Sequence, residues 1–460
     1  MGSNTAAAAA PTIGSFTRAD PYWIDDWRPD DPAFWENGGK VIARRNLIFS
    51  ILSEHIGFSI WSLWSVFILF LGPAYGFDPG QKFLLAAMPA AVGSLVRLPY
   101  SLAVARFGGR NWTIVSALLL LVPCVLAGIV LEPGISFTTL LIVAMTAGVG
   151  GGNFASSMIN ISNYYPTPLK GWALGLNAGG GNIGVAAAQL VGLAVLAIAG
   201  ANHPRLMLLI YIPLIGISAL CASLFMNNLT QVKNDKRALR DVTKDGHTWI
   251  LSFLYIGTFG SFIGFSFAFG QVLLVQFPET FTKPIEAAYV TFLGPLIGSL
   301  IRPVGGKLAD RIGGAAVTFW NFVAMGTAAT VVLVASLQES LPLFIAGFMA
   351  LFVFAGLGNG STYKMIPAIF TAKARIAREA GTDETEATGE ARRLSGALIG
   401  IAGAVGALGG VLVNVAFRES FLSTGNGNAA YVSFIAFYAV CFAVTWVVYL
   451  RPHRSRLAGV

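Results

Sequence analysis

Two stretches of this sequence carry the same pattern about half a chain apart: SLVRLPYSLAVARFGG at residues 94–109 and SLIRPVGGKLADRIGG at residues 299–314. In each, an arginine in an apolar run (Arg97 or Arg302) is followed nine residues later by a second arginine, which opens an Arg-apolar-Gly-Gly turn. The quartet IGFS also occurs twice, at residues 56–59 and 263–266. Because both copies run in the same direction along the chain, the sequence predicts a parallel repeat of two similar halves.

The composition indicates that this repeat lies in a membrane. Hydrophobic residues make up 55% of the 460-residue chain and charged residues 11%, whereas a soluble domain has about 25% charged residues. Crossing the hydrocarbon core takes a helix of about 20 apolar residues. We therefore predict an all-α membrane protein of twelve transmembrane helices in two six-helix pseudo-repeats. The predicted spans are 46–72, 81–104, 112–132, 137–160, 172–199, 206–226, 248–272, 287–306, 315–336, 342–370, 394–417 and 430–450.

The polar segments divide the chain and predict its orientation. We expect a cytoplasmic N-terminal segment over 1–45, an N-terminal half over 46–226, a cytoplasmic linker over 227–247, a C-terminal half over 248–450 and a cytoplasmic tail over 451–460. In this orientation the inner segments carry 23 Lys and Arg residues and the outer segments carry four. Short cytoplasmic loops hold the excess of basic residues. Both termini are thus expected in the cytoplasm, in a multi-pass protein of the cytoplasmic (inner) membrane.

The sequence lacks the residue patterns that other classes of function, such as enzymes and cofactor-binding proteins, would need. We see no metal-binding cluster of His, Cys and carboxylates and no nucleophile beside a base, so we expect neither an enzyme nor a cofactor. A GxGxxG pattern ends at Gly184, but it lies in an apolar span with no strand before it, which argues against a dinucleotide site. The net charge of +8 follows from the membrane topology, so we expect membrane lipids and no nucleic acid as partners.

Glycine-rich motifs accompany both halves. They are GGNFASSM at 151–158, GLNAGGGNIG at 175–184, the loop GGKLADRIGG at 305–314 and the segment from Gly400 to Gly410, and DWRPDDPAFW at 26–35 precedes them. Together these motifs resemble the nitrate/nitrite porters, the NarK type, of the major facilitator superfamily. The resemblance covers nearly the whole chain, although the first copy of the loop, ending at Arg110, lacks the aspartate. It implies a major facilitator fold that transports nitrate and nitrite by alternating access.

Charged residues at membrane depth are the first candidates for a site, since burying an ionisable side chain in the bilayer costs several kcal/mol. Arg97 and Arg302 are equivalent in the repeat, so a pseudo-twofold axis would bring them face to face across a cavity. An anion between them removes their repulsion, and planar guanidinium groups suit a planar monoanion such as nitrate or nitrite. The alternative is that each arginine ties helix ends or pairs with a carboxylate. The two substrate-binding arginines of the family match these positions.

Five further substrate-binding residues are implied by the resemblance. Phe154 and Phe259 match the aromatic pair that sandwiches the anion in the family. Asn182 matches an amide and Tyr255 a hydroxyl that contact substrate, and Gly151 lies where the family brings backbone close to the anion. Taken alone, each phenylalanine would be interpreted as core packing.

Glu54 and Lys364 depart from the family pattern, which has an apolar or small residue and a neutral amide at these positions. We predict that they are neighbours and that Glu54 carries the proton of a nitrate symporter, because burial favours a neutral carboxyl and a nearby cation favours a charged one. The alternatives are a fixed Glu54–Lys364 ion pair in a nitrate/nitrite antiporter, a porter of another small anion, or a channel. His55 is interpreted as a packed helix residue, and the protein is expected to function as a monomer.

Overall fold

Helices long and apolar enough to cross a membrane make up most of the protein. The computed structural model describes residues 21–233, 235–451 and 457, and it has twelve such helices within this part of the chain. They are α1 (Pro32–Phe70), α2 (Pro79–Phe107), α3 (Gly109–Val130), α4 (Phe137–Tyr164), α5 (Thr167–Ala199), α6 (Leu206–Phe225), α7 (Gly246–Gln276), α8 (Pro284–Ile312), α9 (Gly314–Leu337), α10 (Leu341–Glu379), α11 (Glu384–Thr424) and α12 (Asn428–Leu450). A helix satisfies its own backbone N–H and C=O groups, which hydrocarbon cannot do. The predicted number of spans is confirmed.

Several helices are longer than the apolar spans predicted. α10 continues to Glu379, and α11 begins at Glu384, ten residues before the predicted start. The added turns are rich in Ala, Arg and Glu, which favour helix in water as well. Hydropathy therefore located the apolar part of each helix and missed the polar ends that extend beyond it.

The two copies of the repeat end α2 and α8 with the same backbone geometry. Gly108 has φ 87° and ψ 148°, and Gly313 has φ 90° and ψ 138°. Residues with a side chain rarely adopt such positive φ angles. At Gly108 a Cβ atom would also lie 2.3 Å from the side-chain oxygen of Asn228. These glycines let the chain turn directly from α2 into α3 and from α8 into α9.

A short parallel strand pair joins the N-terminal segment to the start of the linker. β1 (Trp23–Ile24) pairs with β2 (Asn228–Leu229). Next to β2, the side-chain oxygen of Asn227 accepts a hydrogen bond from Arg45 at 2.7 Å, and its backbone oxygen accepts one from the Tyr164 hydroxyl at 2.6 Å. These contacts attach the start of the linker to α1 and α4.

The end of the linker is attached to the last six helices. A linker helix (Lys236–Val242) carries Asp241, which accepts a hydrogen bond from Arg393 of α11 at 2.8 Å.

The predicted N-terminal segment and tail are described only in part, because residues 1–20, 452–456 and 458–460 lie outside the described residues.

At the end of the bundle away from the linker, α2 packs directly on α11. The ring of Phe83 stacks on Phe417 and Phe421, with centroid distances of 5.8 and 5.5 Å. Phe83 is completely buried. The contact joins the first six helices to the last six at this end, and it lies on the same two helices that carry Arg97 and the Gly400–Gly410 segment.

The loops allow a direct test of the predicted orientation. In a variant with the three native cysteines replaced by alanine, His203→Cys and Thr280→Cys should react with a membrane-impermeant maleimide in intact cells. Arg237→Cys and Thr382→Cys should react only after the membrane is opened, because positive-inside topology places the linker and the α10–α11 turn in the cytoplasm. All four positions are exposed. The reverse labelling pattern would contradict cytoplasmic termini.

Candidate functional site

Arg97 on α2 and Arg302 on α8 are both buried, with 1% and 5% of their surfaces exposed. The Arg97 Nε donates to the Gly151 carbonyl at 3.1 Å, and its Nη1 donates to the Gly403 carbonyl. The Arg302 Nη2 donates to the Tyr255 hydroxyl at 3.4 Å. One nitrogen of each guanidinium, Nη2 of Arg97 and Nη1 of Arg302, is buried without a hydrogen-bond partner among the described residues. Each arginine therefore keeps a charged donor free inside the bundle.

Aromatic rings surround the Arg97 guanidinium. Its central carbon lies 4.7 Å from the ring centroid of Phe154, 5.1 Å from that of Phe259 and 5.3 Å from that of Trp61. The Phe154 and Phe259 rings face each other with centroids 6.1 Å apart and planes 26° apart. A cation over the face of an aromatic ring is attracted by the ring quadrupole. The sequence analysis missed Trp61, because a tryptophan in an apolar helix has no local feature that separates a site residue from core.

Phe259 lies in a π-helical turn of α7 that covers Ile256–Gly260. The Tyr255 ring, one turn earlier, stacks on Phe259 with centroids 5.2 Å apart and planes 9° apart. The stacking aligns the Tyr255 hydroxyl with Arg302. Single π-helical turns occur frequently at functional sites.

The other two residues assigned through the resemblance are also buried. The carbonyl of Gly151 accepts a hydrogen bond from Arg97, and a Cβ atom on Gly151 would lie 2.8 Å from the Trp61 ring. This position therefore requires glycine for helix packing. Asn182 on α5 is fully buried, and neither atom of its amide has a partner among the described residues.

Glu54 is fully buried on α1 and is held by two polar side chains. Its Oε2 accepts a hydrogen bond from the Ser157 hydroxyl and another from the Asn177 amide at 2.5 Å. Its Oε1 has no partner in the described part of the chain. The positive charges of Arg302 and Arg97 act on this carboxyl. Ser157 and Asn177 lie within the two glycine-rich motifs, which was the available signal for them.

Lys364 does not lie beside Glu54, and the predicted pair is wrong. The Lys364 ammonium is 2.8 and 2.9 Å from the two carboxylate oxygens of Asp310. It also lies close to Gly171 of α5, whereas Glu54 lies against Gly181. Ten residues of one helix separate those glycines by about 15 Å. The long lysine side chain reaches toward the polar end of the bundle, where Asp310 and the Lys364 ammonium are partly exposed.

The neighbouring histidine contacts the backbone of α5. His55 Nδ1 lies 3.1 Å from the Gly180 carbonyl oxygen, in agreement with its interpretation as a packed residue. Across the described ranges, no group of three or more His, Cys, Asp and Glu side chains is placed to hold a metal ion. The chemistry available at this site is thus that of charged donors, aromatic faces and one buried carboxyl.

Comparison with known proteins identifies the family of the chain. The family model of the Major Facilitator Superfamily matches residues 49–413. The "Nitrate/nitrite transporter NarU" of Salmonella typhimurium is 39% identical, over 94% of this chain and 96% of that protein. The "Probable nitrate/nitrite antiporter NarK2" of Thermus thermophilus is 32% identical, over 94% of this chain and 98% of that protein. The "Nitrite extrusion protein" of Bacillus subtilis is 27% identical, over 90% and 98%.

Solved structures show the same fold at low identity. A crystal structure of a D-xylose-proton symporter matches with a TM-score of 0.63 and 15% identity, covering 88% of this chain and 97% of its own. That of the nucleoside transporter NupG matches with a TM-score of 0.61 and 13% identity, covering 87% and 99%. The predicted major facilitator fold is confirmed.

The protein is a multi-pass membrane transporter and not an enzyme, and in bacteria such transporters lie in the inner membrane. By its sequence and its fold, the chain belongs to the major facilitator superfamily and, within it, to the NarK-type nitrate/nitrite porters.

Proposed function

We propose that this protein carries nitrate and nitrite across the inner membrane by alternating access, together with a proton. The observation that supports this most strongly is the pair of buried guanidinium nitrogens without partners, one on Arg97 and one on Arg302. A buried charged donor that lacks a hydrogen bond is costly, so a ligand that accepts from both is strongly favoured. A small planar anion meets this requirement, since its oxygens accept hydrogen bonds from guanidinium groups.

The aromatic pair supports a flat ligand. Two rings that hold a planar anion between them need a separation of about 7 Å, twice a contact distance of ~3.5 Å. The ring centroids of Phe154 and Phe259 are 6.1 Å apart, so binding requires the two rings to move apart by about 1 Å. The π-helical turn at Ile256–Gly260 is a local irregularity that can accommodate this movement without bending the rest of α7.

The relatives support nitrate and nitrite as the substrates. Two carry both anions in their names, and a third is named for nitrite extrusion. We infer that the monomer is the transporting unit, because the site residues described above lie within one twelve-helix bundle.

Glu54 supports coupling to a proton. The charges of Arg97 and Arg302 act on its carboxyl, so an ionised Glu54 weakens the positive potential that attracts the anion. Protonation removes this competing negative charge and strengthens anion binding. By linkage, a bound anion strengthens proton binding by the same factor. Positive cooperativity of this kind is what a symporter needs in order to move both ions together.

Nitrate/nitrite exchange is the second candidate function. The hydrogen bonds from Ser157 and Asn177 to Glu54 would also stabilise a permanently ionised carboxylate. One relative is named an antiporter. In an exchanger, Glu54 would hold α1, α4 and α5 together and would not change its charge during transport.

Nitrate binding should require the planar guanidinium group of both Arg97 and Arg302. Arg97→Lys and Arg302→Lys keep the charge but lose the fork of donors, so each should raise the Kd for nitrate by at least about tenfold, or ~1.4 kcal/mol. Isothermal titration calorimetry on the purified protein measures this. Arg205→Lys is the matched control, because Arg205 forms a surface ion pair with Glu132. The nitrate affinity of this control variant should stay unchanged. Wild-type affinity in both site variants would refute the anion site.

Proton coupling is tested in proteoliposomes that contain no internal nitrite. We expect an inward proton gradient to drive nitrate uptake and proton entry by the wild type. Glu54→Gln, which resembles the protonated form, should bind nitrate at least as tightly and take it up without responding to the gradient.

Glu132→Gln is the control for this experiment, since it removes an exposed carboxylate, and it should behave as the wild type. Gradient-driven uptake by Glu54→Gln would reject Glu54 as the proton carrier. Wild-type uptake that appears only when nitrite or nitrate is loaded inside would favour exchange instead.

A further inference from the structure

A second tyrosine lies beside the arginines and has no role in the site described so far. Tyr363 is on α10, and its ring centroid lies 5.7 Å from that of Tyr255. The central guanidinium carbon of Arg302 lies 5.7 Å from the Tyr363 ring centroid. Tyr363 therefore belongs to the same interior region as the proposed anion site.

The hydroxyl of Tyr363 is buried and has no hydrogen-bond partner in the described part of the chain. Nearly all buried polar groups in proteins are hydrogen-bonded, so an exception calls for an explanation such as a ligand. Tyr255 differs, because its hydroxyl already accepts a hydrogen bond from Arg302 at 3.4 Å. Of the two tyrosines, Tyr363 is the one whose hydroxyl has no hydrogen-bond partner of either kind among the described residues.

We propose that Tyr363 is a further substrate-contacting residue that favours nitrate over nitrite, an inference that rests on the proposed function. Its O–H donates to one oxygen of bound nitrate, while Nη2 of Arg97 and Nη1 of Arg302 donate to the other two. Nitrite has only two oxygens, which the arginines occupy. Loss of the hydroxyl therefore weakens nitrate binding more than nitrite binding.

Three separate donors match the three oxygens of a trigonal anion. The oxygens of nitrate point in three directions within one plane, and the donors come from three different helices, α2, α8 and α10. A phenol adds a neutral donor, so it supplies a hydrogen bond without adding a third positive charge to the region. A site that hydrogen-bonds one polar group of its substrate discriminates against an analogue that lacks this group.

Tyr363→Phe tests the inference because it removes the hydroxyl and keeps the ring. On the purified full-length protein, calorimetry should show that the nitrate Kd rises by about tenfold while the nitrite Kd changes by less than about threefold. Tyr431→Phe is the matched control. Tyr431 on α12 also has a buried hydroxyl without a described partner, but it packs on Phe344 and Phe417. Its variant should bind both anions as the wild type does.

Thermal unfolding of both variants checks that each is folded, and similar midpoints are expected. A nitrate Kd for Tyr363→Phe within twofold of the wild-type value overturns the inference. This holds even if the substitution changes the proton dependence of transport. Equal losses for nitrate and nitrite overturn the role in discrimination. In each of these outcomes the wild type still binds nitrate, so the proposed function stands. A wild type that binds no nitrate overturns the proposed function and this inference together.

Discussion

Two buried guanidinium groups in an apolar bundle are the constraint on which the rest of the structure depends. A charge in such surroundings must be compensated nearby. Around Arg97 the compensation comes from two backbone carbonyls and the faces of aromatic rings, and around Arg302 it comes from a tyrosine hydroxyl. The hydrogen bond from Arg97 to Gly403 connects α2 to α11, so the same charge that makes the site also joins the two sets of six helices.

Glycine makes this arrangement possible, because the polar groups occupy space between closely packed helices. At Gly181 a Cβ atom would lie 2.4 Å from the carboxyl oxygen of Glu54. At Gly150 it would lie 2.2 Å from the backbone oxygen of Gly57. Small residues let membrane helices approach without a hydrophobic driving force. The glycine-rich motifs recognised in the sequence are therefore the packing surfaces that leave room for the buried carboxyl and its partners.

The wrong placement of Lys364 shows a limit of reasoning from depth in the membrane. Glu54 and Lys364 both fall inside predicted apolar spans, 46–72 and 342–370, and the sequence analysis predicts that they are neighbours. A lysine side chain is long enough to carry its ammonium more than one helical turn toward water, and Asp310 at the end of α8 provides a carboxylate there. Glu54 has a short side chain and stays at the depth of its backbone, where Ser157 and Asn177 hold it.

The sequence by itself determined the twelve spans, the internal repeat and the equivalence of Arg97 and Arg302. These features are local or periodic. A run of apolar residues or a repeated spacing can therefore be recognised without knowing which side chains are in contact. Only the tertiary structure decided which side chains meet. Ser157 and Asn177 reach Glu54, and Tyr363 reaches Arg302, across helices far apart in the chain. Such contacts depend on the rotation and tilt of each helix, which follow from the packing of the whole bundle and not from any one segment.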